Sequence, residues 1–264
     1  MSGILGAVAC GLFAVYIVGT AGSGKTTLTG AFSDWLRDQE QIVATVNLDP
    51  AVLSLPYEPD VDVREFVDYE RVMAIRSLGP NSALVASIRE VVKHIEELKD
   101  AMSGIKADWM LVDTPGQMEI FAFRKEGRII ANTLRGDSTA MLFLLDPMFC
   151  ISPRNFAASL FLSTSVKLVL NLPTVLVLTK ADAVPRRYIK RILGWHESEE
   201  AFEVDAGAKL KGMQMMFVRD VMNGLRFISS STPLIPVSST TMEGFVELHS
   251  TLSRVLTEGE LELR

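Results

Sequence analysis

Histidine, cysteine and aromatic side chains are all scarce in this chain: three histidines, two cysteines and 8% Phe, Trp and Tyr in 264 residues. Cys10 and Cys150 stand far apart, with no CxxC spacing and no histidine cluster beside them. That pattern excludes a thiolate metal site and a disulfide framework, and it fits a reducing, cytoplasmic setting. Positive charge is also short. Lys and Arg number 26 against 32 Asp and Glu, a net charge of −6, so no basic footprint for direct nucleic-acid binding exists. No apolar run reaches the ~20 residues of a membrane span. The stretch from Ile4 to Val18 lacks a basic flank and runs without a linker into a glycine loop. Its second half reads as a buried strand and residues 1–11 as an N-terminal extension, with no membrane role.

What is present is apolar content of 48% against 22% charged, enough for one compact α/β domain over residues 1–264. Residues 19–27 read Gly19-Thr20-Ala21-Gly22-Ser23-Gly24-Lys25-Thr26-Thr27, a complete GxxxxGK[ST] loop directly after the apolar run 12–18. The order strand, glycine loop, helix makes this a nucleoside-triphosphate site. Gly22, Ser23 and Gly24 turn backbone N–H groups toward a phosphate, Lys25 supplies charge to the β and γ oxygens, and Thr26 and Thr27 open the helix. The Thr26 hydroxyl is positioned to ligate Mg2+.

Strand and helix patterns then alternate. Leu28, Ala31, Phe32, Trp35 and Leu36 lie on one helical face, and Leu84, Ile88, Val91, Ile95 and Leu98 predict a second, long helix with Asn81-Ser82 as caps. Apolar runs at 42–46, 109–113, 140–146, 174–180 and 234–238 are continuous rather than alternating, as expected of strands covered on both faces of a parallel sheet. The stretch 49–62, with three prolines, reads as a surface loop. These features predict a P-loop NTPase three-layer sandwich with a mainly parallel central sheet. A methionine-rich insertion within 185–228 reads equally as a helical lid or as an ordinary buried helix pair.

In such sheets ligands collect at the C-terminal strand ends. Asp113, followed by Thr-Pro-Gly-Gln, is placed to hold the magnesium shell opposite Thr26; Gly116 offers an N–H to a γ-phosphate and Gln117 an amide to orient water. Thr179-Lys180-Ala-Asp182 suits guanine: the Asp182 carboxylate accepts from its N1–H and N2 amine, the Lys180 stem covers the ring, and Ser239 lies in the turn after the last strand.

Together with Asn47-Leu-Asp-Pro-Ala51, Leu55-Pro-Tyr-Glu-Pro59, Asp62-Val-Arg-Glu-Phe66 and Gly79-Pro80-Asn81, these motifs resemble the GPN-loop GTPases, a SIMIBI-class P-loop family, most of all its archaeal members. Thr179 departs from the more usual asparagine and Ser239 from the frequent alanine. The resemblance implies hydrolysis of GTP to GDP and phosphate with Mg2+. It also implies a homodimer in which Asn81 reaches the partner's γ-phosphate pocket, with Asp49 orienting the magnesium water or the attacking water. Eukaryotic relatives are associated with RNA polymerase II assembly, so the resemblance implies an assembly factor for a protein client. A P-loop kinase for a small molecule or polynucleotide, and a nucleotide-locked scaffold with little turnover, are the competing classes.

Overall fold

The computed structural model describes residues 11–229 and 232–262. In chain order the elements are β1 (Phe13–Gly19), α1 (Lys25–Asp38), β2 (Val43–Asn47), β3 (Val61–Asp62), α2 (Tyr69–Ile75), α3 (Pro80–Lys93), α4 (Ile95–Ser103), β4 (Trp109–Asp113), α5 (Met118–Ala122) and α6 (Lys125–Thr133). They continue as β5 (Ser138–Leu145), α7 (Pro147–Cys150), α8 (Pro153–Leu170), β6 (Thr174–Leu178), α9 (Arg186–Glu197), α10 (Glu199–Lys209), α11 (Met213–Ser229), β7 (Leu234–Pro236) and α12 (Phe245–Glu262). The sheet is parallel throughout, in the order β3-β2-β4-β1-β5-β6-β7.

Two separate cores explain the unbroken apolar strands. Along β1, Ala14, Tyr16 and Val18 enter the larger core, under α3, α4, α6, α8 and the α9–α11 group. Phe13, Val15 and Ile17 enter the smaller one, under α1 and α12. Every residue of β1, β2, β4 and β6 is buried, so alternation of side chains across the pleat produces no polar face. Leu28, Phe32 and Leu36 of α1 are fully buried, as their spacing predicts. The insertion is helical, and Trp195 and Phe202 pack it against Phe156 of α8.

Three expectations need correction. The predicted long helix is two helices, because His94 leaves helical geometry (φ −96°, ψ 20°) and separates α3 from α4. Asn81 and Ser82 do not cap α3: Gly79 is its N-cap, Pro80 occupies the first turn, and no side chain closes it. The loop that leaves β2 ends earlier than read, since Val61-Asp62 pairs with Val46-Asn47 as a short buried strand. The reading of residues 1–10, Cys10 included, lies outside the described residues. Among those described, no helix is long and apolar enough to cross a membrane.

Candidate functional site

Between β1 and α1, Gly22 (φ 74°) and Gly24 (φ 94°) adopt the left-handed backbone that side chains disfavour. Gly24 is the N-cap of α1 with no side-chain cap, and the first turn holds no acidic residue. Several N–H groups and the positive helix end therefore face the loop's interior. Lys25 is buried, and its Nζ donates to the carbonyls of Gly19 (2.9 Å), Thr20 (3.0 Å) and Gly116 (3.2 Å). Burial pushes this ammonium below its usual pKa, while Asp113, Asp49 and Glu119 pull it back up. Thr26 is half-buried and Thr27 exposed on the first turn of α1.

Asp113 ends β4 in register with Ile17 of β1 and Asn47 of β2, beside the phosphate loop. Its Oδ2 accepts from the Tyr57 hydroxyl at 3.1 Å; the Thr26 hydroxyl also stands close enough to stabilise the carboxylate charge, yet Oδ1 is buried with no hydrogen bond of good geometry. Burial pushes the carboxyl up to about 6, against the hydroxyls of Thr26 and Tyr57 and the charge of Lys25. An orphaned carboxylate oxygen inside the fold is costly, and a hydrated divalent cation is the partner that would complete it. Ser23 Oγ is buried without a partner on the same loop.

Gly116 is clamped on both sides of its peptide unit: its N–H donates to Asp49 Oδ2 at 2.8 Å and its carbonyl accepts from Lys25. Gln117 Nε2 donates to Asn81 Oδ1 at 2.7 Å, so the exposed Gly79-Pro80-Asn81 segment at the start of α3 lies against the loop after β4 of its own chain. Asp49 is held in turn. Its Oδ1 accepts from the Ala51 N–H (2.9 Å), and the Asn47 amide accepts from the Asp49 N–H (3.0 Å) and donates to Asp62 Oδ1 (2.9 Å). Arg64 forks onto Asp62 through Nε at 3.0 and 2.9 Å and reaches the Val52 carbonyl. Burial raises the Asp62 carboxyl, but the bonds from Arg64 and Asn47 outweigh it and leave it below the usual range.

Across the phosphate loop, Thr179 is buried and its hydroxyl donates to the carbonyls of Ser23 (2.8 Å) and Leu145 (3.2 Å). The residue that departs from asparagine thus ties the end of β6 to the phosphate loop. Lys180, at φ 51°, donates to the Gly22 carbonyl (2.6 Å) and to Asp146 Oδ2 (2.8 Å), while the other oxygen of Asp146 caps α7 at the Met148 N–H. The Ala181 N–H donates to the Val237 carbonyl at 3.0 Å and anchors the loop to β7. Asp182 is exposed on that loop, and Ser239 is half-buried in the neighbouring turn.

The structure therefore gathers Lys25, Thr26, Asp49, Gly116, Gln117, Asn81 and Asp113 on one side of the loop and Thr179, Lys180 and Asp182 on the other. Sequence reading assigned no role to Tyr57, Asp146 or the Asn47–Asp62–Arg64 network. Asp146-Pro147 repeats the strand-end Asp-Pro signal of Asp49-Pro50, which could have marked it; nothing local foretells that Tyr57 reaches Asp113, 56 residues away.

A protein-family profile described as a conserved hypothetical ATP-binding protein matches residues 17–258. A GPN-loop GTPase of Pyrococcus abyssi is 33% identical over 89% of this chain and 94% of its own length. GPN-loop GTPase 1 of Schizosaccharomyces pombe is 28% identical over 94% of this chain and 70% of its own length. The crystal structure of the apo form of a P. abyssi GTPase superposes with a TM-score of 0.81 at 32% identity, over 92% of this chain and 96% of that one. With the phosphate loop, the Gly-Pro-Asn loop and the strand-end carboxylates in one cleft, and with relatives matched over most of their length, the chain belongs to the GPN-loop GTPase family.

Proposed function

We propose that this protein binds GTP and hydrolyses it to GDP and phosphate; the observation that carries the reading is the buried, unpartnered Oδ1 of Asp113 at a strand end paired with β1, beside the phosphate loop. Thr26 and, through water, Asp113 would hold Mg2+, which when bound neutralises phosphate charge. Lys25 leaves its loop carbonyls for the β and γ oxygens, and the Gly116 N–H meets the γ-phosphate once Asp49 releases it. Asp49 and Gln117 then align the attacking water, which a loose phosphoryl-transfer transition state needs more than a strong base. The profile's description says ATP and the relatives' names say GTP. Asp182 favours guanine, because adenine offers no N1–H and N2 amine pair. Phosphate release from GTP is expected to fall about 10²-fold in Asp49→Ala and Gln117→Ala. Equal rates in all three proteins would sink the hydrolytic roles, and equal affinity for ATP and GTP would sink the guanine reading.

The working unit in this proposal is a cytoplasmic homodimer, with Asn81 of each subunit offered to the partner's γ-phosphate pocket. Support comes from the exposure of the loop and from its place at the rim of the cleft, against Gln117. The role proposed is a GTP-driven assembly factor for a larger protein complex such as RNA polymerase. An apolar groove between α8 and α11, about 300 Å3 and lined by Ala157, Phe161, Phe217 and Val218, supports a protein client. Clients captured equally by GTP- and GDP-loaded protein would count against a switch.

A further inference from the structure

Tyr57 belongs to the Leu55-Pro-Tyr-Glu-Pro59 segment, for which neither phosphate chemistry nor base reading has a use. The ring is buried and its hydroxyl donates to Asp113 Oδ2 at 3.1 Å, while Oδ1 is buried with no hydrogen-bond partner. A dedicated berth holds the ring. Gly30 sits in the middle of α1, where glycine costs roughly 1 kcal/mol relative to alanine. A Cβ at that position would lie 3.4 Å from both Pro56 Cγ and Tyr57 Cδ1, at the tight edge of van der Waals contact, so Pro56 and the ring rest against the helix at its glycine and a larger side chain there would crowd them.

We infer that Tyr57 is a positioning residue for the metal carboxylate: its hydroxyl fixes the orientation of Asp113 and directs Oδ1 toward the magnesium water. The inference rests on the metal–nucleotide reading above. Carboxylates that serve metals are commonly oriented by such an outer partner, and losing one typically lowers metal affinity 10- to 100-fold. Because Tyr57 is carried on the same 48–60 loop as Asp49, the arrangement also links the metal carboxylate to the segment that clamps Gly116.

The test is Mg2+ titration of fluorescent methylanthraniloyl-GDP bound to the full chain, for wild type, Tyr57→Phe, Asp113→Asn and the double variant. Phenylalanine keeps the ring in its berth, so nucleotide affinity in EDTA should stay near wild type, while the melting temperature falls modestly with the hydrogen bond that Asp113 loses. The half-saturating Mg2+ concentration should rise about tenfold. In the Asp113→Asn background Tyr57→Phe should add nothing. Gly30→Val, which crowds the ring from the helix side, should shift the curve in the same direction. Half-saturation within twofold of wild type in both Tyr57→Phe and Gly30→Val overturns the assignment, as does a full Tyr57→Phe shift that persists without the Asp113 carboxylate. A wild type with Mg2+-independent binding overturns the metal reading as well, whereas a Mg2+-dependent wild type with an unmoved Tyr57→Phe curve overturns the role of Tyr57 alone.

Discussion

The two halves of the cleft satisfy their polar groups in opposite ways. On the base side, at β5, β6 and β7, polar groups are satisfied from within: Thr179 on Ser23, Lys180 on Gly22 and Asp146, Ala181 on Val237. On the phosphate side, at β1, β2 and β4, buried groups are left short or borrow partners. Asp113 Oδ1 and Ser23 Oγ have none, Lys25 rests on carbonyls, and the Asp49 carboxylate takes the Gly116 N–H that the proposed function gives to the γ-phosphate. Under the proposed function, the β5–β7 side is already organised and needs little rearrangement at binding. The phosphate end carries an electrostatic cost in the folded chain that ligand and metal relieve, so binding there should drive the larger rearrangement.

Removing the lysine should separate the halves most sharply. Lys25→Ala is expected to lower GTP hydrolysis about 10³-fold, as loss of a charge-stabilising donor does, with the guanine preference measured by GDP and ADP titration retained. Asp182→Ala should do the reverse: about 10²-fold of guanine preference lost, because guanine's donors go unmet, with hydrolysis at saturating GTP largely kept. If either substitution moves both quantities together, the two halves are not separable.

Stability should change with opposite signs. The Asp113 carboxyl is raised in the folded chain, so the native state holds more protons than the unfolded one between the usual carboxylate range and about pH 6. Its contribution to stability therefore falls as pH rises through that window. Asp113→Asn should be nearly neutral at pH 4 and stabilise the nucleotide-free protein by about 3 kcal/mol above pH 7, read by urea unfolding. No gain at neutral pH would mean the carboxylate is relieved by groups other than those seen here. Thr179→Val, on the satisfied side, should destabilise the same protein by about 1–2 kcal/mol, since it strands the Ser23 carbonyl.

Reading the chain as a sequence succeeded where the signal was local. The phosphate loop, the strand ends at Asp113 and Thr179, and the α1 face all follow from spacing and periodicity, and all lie where expected. It failed where a distant partner decides. Periodicity carries Leu84 to Leu98 through one helix, but nothing in that spacing reports the bend at His94. Val61-Asp62 is too short to register as a strand, and only pairing with β2 makes it one. Asn81 reads as a cap from its neighbours, yet its side chain faces Gln117, 36 residues away.

By itself the sequence determined a phosphate loop, a parallel sheet buried on both faces and carboxylates at particular strand ends. Each depends on a few adjacent residues, through backbone freedom at glycine or continuous apolar runs. The tertiary structure alone decided which oxygen of Asp113 lacks a partner, that Tyr57 occupies the other, and that Asp146 and Ser23 hold the loop after β6. Those facts depend on which strand ends lie side by side, and strand order is set by packing across the whole sheet rather than by any one segment.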